Sequence, residues 1–129
     1  MRPRGSWGLR AVRAASIEDL LEAYRHAAGT HRQSLLIGDY KTGNPQADLL
    51  ARIYGELRRR GREAQERLLE FLGDEDPGVR GWAGAHMLQI AEDRAVPVLE
   101  KLVQSEPWPA NTSAEMTLKT WRRGELRFP

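Results

Sequence analysis

The residues that could carry catalysis or bind a metal ion are few, and their spacing favours neither function. The chain has no cysteine, which excludes thiolate metal ligands, disulfides and Cys nucleophiles. Its histidines, His26, His31 and His86, match no metal-binding spacing. The acids of Asp74-Glu75-Asp76 are adjacent, which suits a helix cap better than paired acid–base chemistry. We therefore predict no metal, no cofactor and no enzymatic activity.

The only basic cluster outside the N-terminal segment could bind phosphate or an acidic partner. It consists of Arg58, Arg59, Arg60 and Arg62. The cluster ends a predicted helix, where cations stabilise the negative end of the helix dipole, and Glu63 and Glu66 follow it. We favour this structural interpretation and keep Arg58, Arg59 and Arg62 as candidate partner-binding residues.

Two tryptophans are the other candidates for partner binding. Trp82 is flanked by Gly81 and Gly84, which weaken a helix unless close packing requires them. Trp108 lies between two prolines in a predicted connection. Tryptophan is common at the centres of protein interfaces. An equally good interpretation is that these side chains fix loops onto the core.

The charge divides the chain into an arm and a domain. Residues 1–13 hold four arginines and no acid, whereas the remainder holds 16 basic and 18 acidic residues and carries −2. We predict a flexible basic arm over residues 1–15 and a single domain over residues 16–129. The chain lacks an apolar run long enough for a membrane span or a secretory signal, which together with the cysteine count favours the cytoplasm.

Apolar residues at intervals of three and four predict the first two helices. Ser16 is a good N-cap for a helix running to about Ile37, and Gly38 ends it. Residues 38–45 are predicted to be a connection, in which Asn44 caps the second helix and Pro45 is its first residue. Asp39 is predicted to cap local backbone or to pair with an arginine such as Arg60.

The same signals predict four more helices in the second half. Asp76 and Pro77 mark the N-cap and first residue of the fourth helix, and Asn111 is the predicted N-cap of the sixth. No segment alternates with period two over the length of a strand. The sequence therefore predicts an all-α protein of about six helices in antiparallel pairs.

The second half also repeats itself at a shift of 31 residues. The matched pairs are Ala64 with Ala95, Leu68 with Leu99, Leu72 with Val103, Glu75 with Glu106, Ala83 with Ala114, Met87 with Leu118, and Ile90 with Trp121. Most are core positions, as expected for helix pairs that bury their apolar faces against neighbouring pairs. Any two helical hairpins of equal length would match partly, but the shared acid and the shared small residue favour a repeat.

The turn before the fourth helix resembles a HEAT repeat. Asp76 and Pro77 match the cap, Val79 the packing residue, and Arg80 the arginine that reaches back to the turns, with Ala83 among the small residues that follow. The resemblance covers residues 64–104 and, less closely, 95–123. It implies a HEAT- or armadillo-like α-α superhelix.

The whole domain also resembles a bacterial family of unknown function with the same fold. The matching residues are Gly38-Asp39-Tyr40-Lys41, Asn44, Glu56-Leu57, Arg60-Gly61, Val79-Arg80, Ala83, Thr117-Leu118, Trp121 and Gly124. Gly43-Asn44-Pro45 departs from the family, which tends to continue a helix there. The resemblance supplies no activity and no catalytic residue.

These observations favour a non-enzymatic helical-repeat module that binds another protein. One specific form is an immunity or antitoxin protein bound to a cognate toxin. The alternative is a nucleic-acid-binding protein using the arm and the arginine cluster, although the domain itself lacks a basic surface.

Overall fold

The computed structural model describes residues 7–128, and over this range the chain is helical with no β-strand. The helices are α1 Leu9–Ala14, α2 Ile17–Ile37, α3 Tyr40–Arg60, α4 Arg62–Glu66, α5 Pro77–Met87, α6 Glu92–Ser105 and α7 Ala110–Arg122, with a 3₁₀ segment Arg67–Gly73 after α4. No helix in this part of the chain has the length and hydropathy to cross a lipid bilayer. The all-α prediction is confirmed.

The turn between α2 and α3 is tighter than predicted. Gly38 adopts φ 70°, and the Asp39 N–H donates to the Ser34 carbonyl at 2.9 Å, which closes the end of α2. The Asp39 carboxylate then accepts from the Thr42 N–H at 3.2 Å, so α3 begins at Tyr40. The prediction that Asn44 is the N-cap is therefore wrong, because residues 44 and 45 lie inside α3. Pro45 lies in the second turn of α3, where it removes one backbone hydrogen bond from the helix.

The helices of the second half begin close to their predicted positions. Asp76 caps α5 by accepting from the Gly78 N–H at 2.8 Å, and Pro77 is the first helical residue. The sixth predicted helix, α7, begins at Ala110, so the prediction that Asn111 caps it is wrong. The Asn111 side-chain oxygen Oδ1 instead accepts from the Thr112 N–H within the first turn.

The N-terminal segment is partly helical where the sequence predicted a flexible arm. Residues 1–6 lie outside the described part of the chain, so the prediction for them is untested. Helix α1 packs on α3, and Val12 and Ala15 are buried in the shared core. Its single turn and a half shows too few apolar positions for a periodic signal.

Helices α2, α5 and α7 form one face of the molecule, with α5 in contact with both of the others. Helix α2 packs against both α3 and α5, and α5 also contacts α6 and α7. Four of the seven pairs that match at the shift of 31 residues are buried at both positions: Ala64 and Ala95, Leu68 and Leu99, Ala83 and Ala114, and Met87 and Leu118. The face formed by α2, α5 and α7 carries the candidate site.

The crossing of α2 and α5 depends on Gly78. A Cβ at this position would lie 2.8 Å from the Arg32 Cβ and 2.9 Å from the Ala28 carbonyl oxygen, closer than these atoms can approach. The two helices therefore touch backbone to backbone at this point. By contrast, a Cβ at Gly55 in α3 would meet nothing within 4 Å.

This contrast predicts opposite effects of the same substitution. Gly78→Ala should lower the free energy of unfolding by about 2 kcal/mol, because α2 and α5 must move apart. Gly55→Ala should raise it by roughly 0.5–1 kcal/mol, because alanine is the better helix former. Urea denaturation of the three proteins, followed by circular dichroism, measures both. Equal changes for the two variants would show that the close approach does not control stability.

Candidate functional site

A groove runs between α2, α5 and α7. It has a volume of about 150 Å³ and is mostly apolar. Leu35 lies on the α2 side, Gly81 and Ala85 form part of the α5 surface, and Ala110 and Thr117 lie on the α7 side. No acidic residue is among its lining residues. The face therefore offers a concave apolar surface built by three separate helices.

Trp82 and His31 form the polar contact inside this groove. The Trp82 indole N–H donates to His31 Nδ1 at 3.3 Å, and the rings meet edge to face with centroids 5.2 Å apart. Partial burial lowers the pKa of His31, which keeps its ring neutral at pH 7 and able to accept this bond. Trp82 is thus held as a wall of the groove while one part of its ring stays accessible.

Trp108 occupies a different position from Trp82. Its side chain is 55% exposed in the connection between α6 and α7, directly before Pro109, which lines the groove. Trp82 lines the groove, and Trp108 belongs to the loop at the start of α7. Both therefore remain candidate partner-binding residues on this face.

The arginine cluster makes contacts within the molecule. Arg58 donates to the Phe128 carbonyl at 3.0 Å and lies over the Tyr54 ring, and Arg62 pairs with Glu66 at 3.0 Å. Arg59 pairs with Glu56 at 2.7 Å. These contacts fit the structural interpretation of the cluster.

Glu56 and Arg60 join α3 to the N-terminal helix. The Glu56 side chain is 3% exposed and accepts from Arg59 and from Arg60 Nε, the latter at 2.7 Å. Arg60 Nη2 also donates to the carbonyls of Val12, Arg13 and Ala15, at 3.2, 3.2 and 2.7 Å. Hydrogen bonds from Arg59, and then from Arg60, lower the pKa of Glu56 from 4.5 to about 2. Arg60 therefore caps the C-terminal end of α1, and Asp39 does not pair with it in this structure.

The chain matches the family model of HEAT repeats over residues 40–119. This range runs from α3 through most of α7 and is more than half of the chain. The chain belongs to the HEAT-repeat family. No curated protein and no solved structure matches it significantly.

The family match extends the HEAT assignment beyond the region that the sequence repeat indicated. It begins at Tyr40, whereas the resemblance to a HEAT repeat began at residue 64. In this HEAT domain, Arg80 reaches Glu106 at 3.7 Å, at the end of α6. The arginine thus connects its own repeat to the turn that follows α6.

The interior of the HEAT domain holds a polar network around His86. The fully buried His86 ring stacks on Tyr54, with centroids 4.0 Å apart, and its Nδ1 shares a hydrogen bond of 2.6 Å with the Tyr24 hydroxyl. The Tyr54 hydroxyl in turn accepts from Gln65 Nε2 at 2.9 Å and lies 2.7 Å from Gln89 Oε1. Burial, and then the charge of Arg58, lowers the pKa of His86 to about 3. The rings of Tyr24, Tyr54 and His86 are buried, whereas Gln65 is half-buried and Gln89 is exposed, so the network links the core of the domain to its surface and stabilises the fold.

Sequence reasoning missed most of the residues that line the groove. Arg32 and Ser113 belong to helices 81 positions apart in the chain, and only the packing of both on α5 brings them to one groove. Over residues 7–128, no three histidine or acidic side chains are grouped so that they could hold a metal ion. The one signal that was readable from the sequence was Trp82 beside small residues.

Proposed function

We propose that this chain is a non-enzymatic protein-binding module that uses the groove between α2, α5 and α7. The observation that carries the proposal is the apolar lining of this groove around Trp82. Stacked helical repeats commonly present such extended surfaces to other macromolecules. Tryptophan in a shielded pocket is a frequent centre of binding energy at protein interfaces.

The size of the groove favours a protein side chain over a small-molecule substrate. Its volume is about 150 Å³, whereas sites for small molecules and cofactors enclose roughly 300–1,000 Å³. One large apolar side chain fits this space. The partner then presents one such residue to the groove, and its neighbouring backbone lies across the open face of the three helices.

A substitution that fills the groove tests this proposal. Ser113 is exposed and lines the groove, so Ser113→Phe places a ring in the space without disturbing the core. Short peptides are first selected from a phage-displayed random library on the wild-type domain. Their affinity for Ser113→Phe, measured by fluorescence polarisation, should fall about tenfold to a hundredfold, as expected when the central contact of an interface is lost.

Thr112→Phe provides the matched control. Thr112 is the exposed neighbour of Ser113 on α7 and is not among the residues that line the groove. This variant should bind the selected peptides as wild type does, and both variants should melt near the wild-type temperature. Peptides that bind Ser113→Phe as tightly as wild type would place the binding surface elsewhere and overturn the proposal.

Two more specific functions, toxin binding and nucleic-acid binding, remain proposals. A toxin bound by an immunity or antitoxin protein is one partner class that presents such segments, and a cytoplasmic location in a bacterium agrees with the sequence patterns. Nucleic-acid binding is less well supported. Arg58, Arg59, Arg60 and Arg62 would have to exchange their contacts within the domain for contacts with phosphate.

A further inference from the structure

Arg32 in α2 is a partly buried arginine that pairs with no described residue. Its Nε atom is buried and donates to no acceptor in the protein, and its side chain makes no ion pair with any residue between 7 and 128. Arg32 lines the groove, where its Cβ touches the backbone of α5 at Gly78. A buried donor with no acceptor is unfavourable, and it is rare in native proteins.

Other partly buried arginines in the described chain have partners. Arg52 donates to the Trp7 carbonyl at 2.9 Å, and Arg80 pairs with Glu106. Arg60 and Arg67 pair with glutamates. The missing acceptor at Arg32 is therefore not a general feature of how this domain shields its arginines.

No group that lines the groove accepts a hydrogen bond from this guanidinium group. Its lining has no carboxylate, and the one ring nitrogen that accepts a bond, His31 Nδ1, is used by Trp82. A carboxylate entering from outside would meet the two terminal nitrogens of Arg32, which unlike Nε are not buried and can donate to it together. An apolar side chain next to that carboxylate would meet Trp82, Leu35 and Ala85.

We infer that the groove binds a protein segment in which one large apolar residue lies beside an Asp or Glu, with the carboxylate paired to Arg32. This inference rests on the proposed protein-binding function, and it specifies the chemistry of the partner. The charge of the groove favours this occupant, because Arg32 is its only permanently charged lining residue.

A double-mutant cycle between peptide and domain tests the pairing. The probes are the library-selected peptides and copies in which each Asp or Glu is replaced by Asn or Gln. On the wild-type domain, the amide copy should bind about tenfold to a hundredfold more weakly, the range for a hydrogen bond to a charged group. On Arg32→Met, acid and amide copies should bind within about twofold of each other. Arg32→Lys keeps the charge but loses the fork, and should give an intermediate difference.

Two controls separate failure of this inference from failure of the proposed function. Arg94→Met removes an exposed arginine of α6 outside the groove, and it should leave the acid–amide difference at its wild-type value. If Ser113→Phe weakens binding but acid and amide copies bind wild type equally, the groove binds protein and the role of Arg32 is wrong. If Ser113→Phe has no effect, the proposed function fails first. Thermal melts of both Arg32 variants establish that they are folded.

Discussion

Replacing Glu56 by glutamine is expected to lower the free energy of unfolding by about 2–3 kcal/mol, a loss of roughly 10 °C in melting temperature for a domain of this size. The glutamate is almost fully buried and receives hydrogen bonds from Arg59 and Arg60. A neutral amide would leave the shielded Arg60 guanidinium without its counter-charge, and Arg60 also holds the end of α1. Because Arg59 is more than half exposed, water solvates its guanidinium group and compensates part of the lost ion-pair energy.

Glu66→Gln makes the same chemical change at an exposed ion pair. Glu66 pairs with Arg62 at 3.0 Å, and both side chains are close to half exposed or more. Its removal should cost less than about 1 kcal/mol. Differential scanning calorimetry of wild type, Glu56→Gln and Glu66→Gln measures the loss of stability in each variant. Similar losses at Glu56 and Glu66 would contradict the central role given to the buried carboxylate.

Acidification from pH 6.5 to 4.5 is expected to reduce the stability of the wild-type domain by about 2–3 kcal/mol through His86 alone. Burial lowers the pKa of this ring from 6.5 to about 3, so the folded protein keeps it neutral. In the unfolded chain, His86 takes up a proton below pH 6.5. The stabilising effect is therefore complete above pH 6.5 and is lost as the pH falls toward 3.

The choice of pH window separates His86 from Glu56. Glu56 titrates in the unfolded chain near 4.5 and in the folded protein near 2, so most of its contribution is lost below the window. His86→Phe keeps a ring stacked on Tyr54 but cannot bind a proton. Urea denaturation at several pH values should show a smaller loss of stability for this variant than for wild type.

Tyr24→Phe tests the effect of the hydrogen bond to His86 separately from the effect of protonating the His86 ring. It removes the hydroxyl that bonds to His86 Nδ1 and leaves the buried histidine in place. This variant should be less stable than wild type at every pH and should keep the loss between pH 6.5 and 4.5. If His86→Phe retains that loss in full, other groups control the acid sensitivity; His31, whose pKa is also lowered, would be the first to test.

The sequence predicted those features of the fold that depend on neighbouring residues. The end of α2 at Gly38 and the cap of α5 at Asp76 are local, because each uses hydrogen bonds within a few positions. The start of α3 was misplaced because Asn44-Pro45 has the composition of a helix start, whereas Asp39 caps the helix five residues earlier. Asp39 and Asn44-Pro45 are both local signals for a helix start, and α3 begins at the one nearer the turn, Asp39.

The site could not be predicted in the same way, because its contacts are distant in sequence. The hydrogen bond from Trp82 to His31 inside the groove spans 51 positions. The groove needs α2, α5 and α7 to be in place together. Periodicity shows which face of a helix is apolar, but it does not show which apolar faces leave a gap between them.

Phe128, which follows α7, packs on aromatic residues of the core. Phe128 lies edge-on to both Tyr54 and His86, with ring centroids 5.5 and 5.0 Å apart, and its carbonyl accepts from Arg58. During synthesis, the aromatic core therefore stays incomplete until Phe128 has left the ribosome. Repeat arrays often unfold in stages from their ends. Because Phe128, which follows the last repeat, contacts α3, we expect the first and last helices of this domain to unfold together.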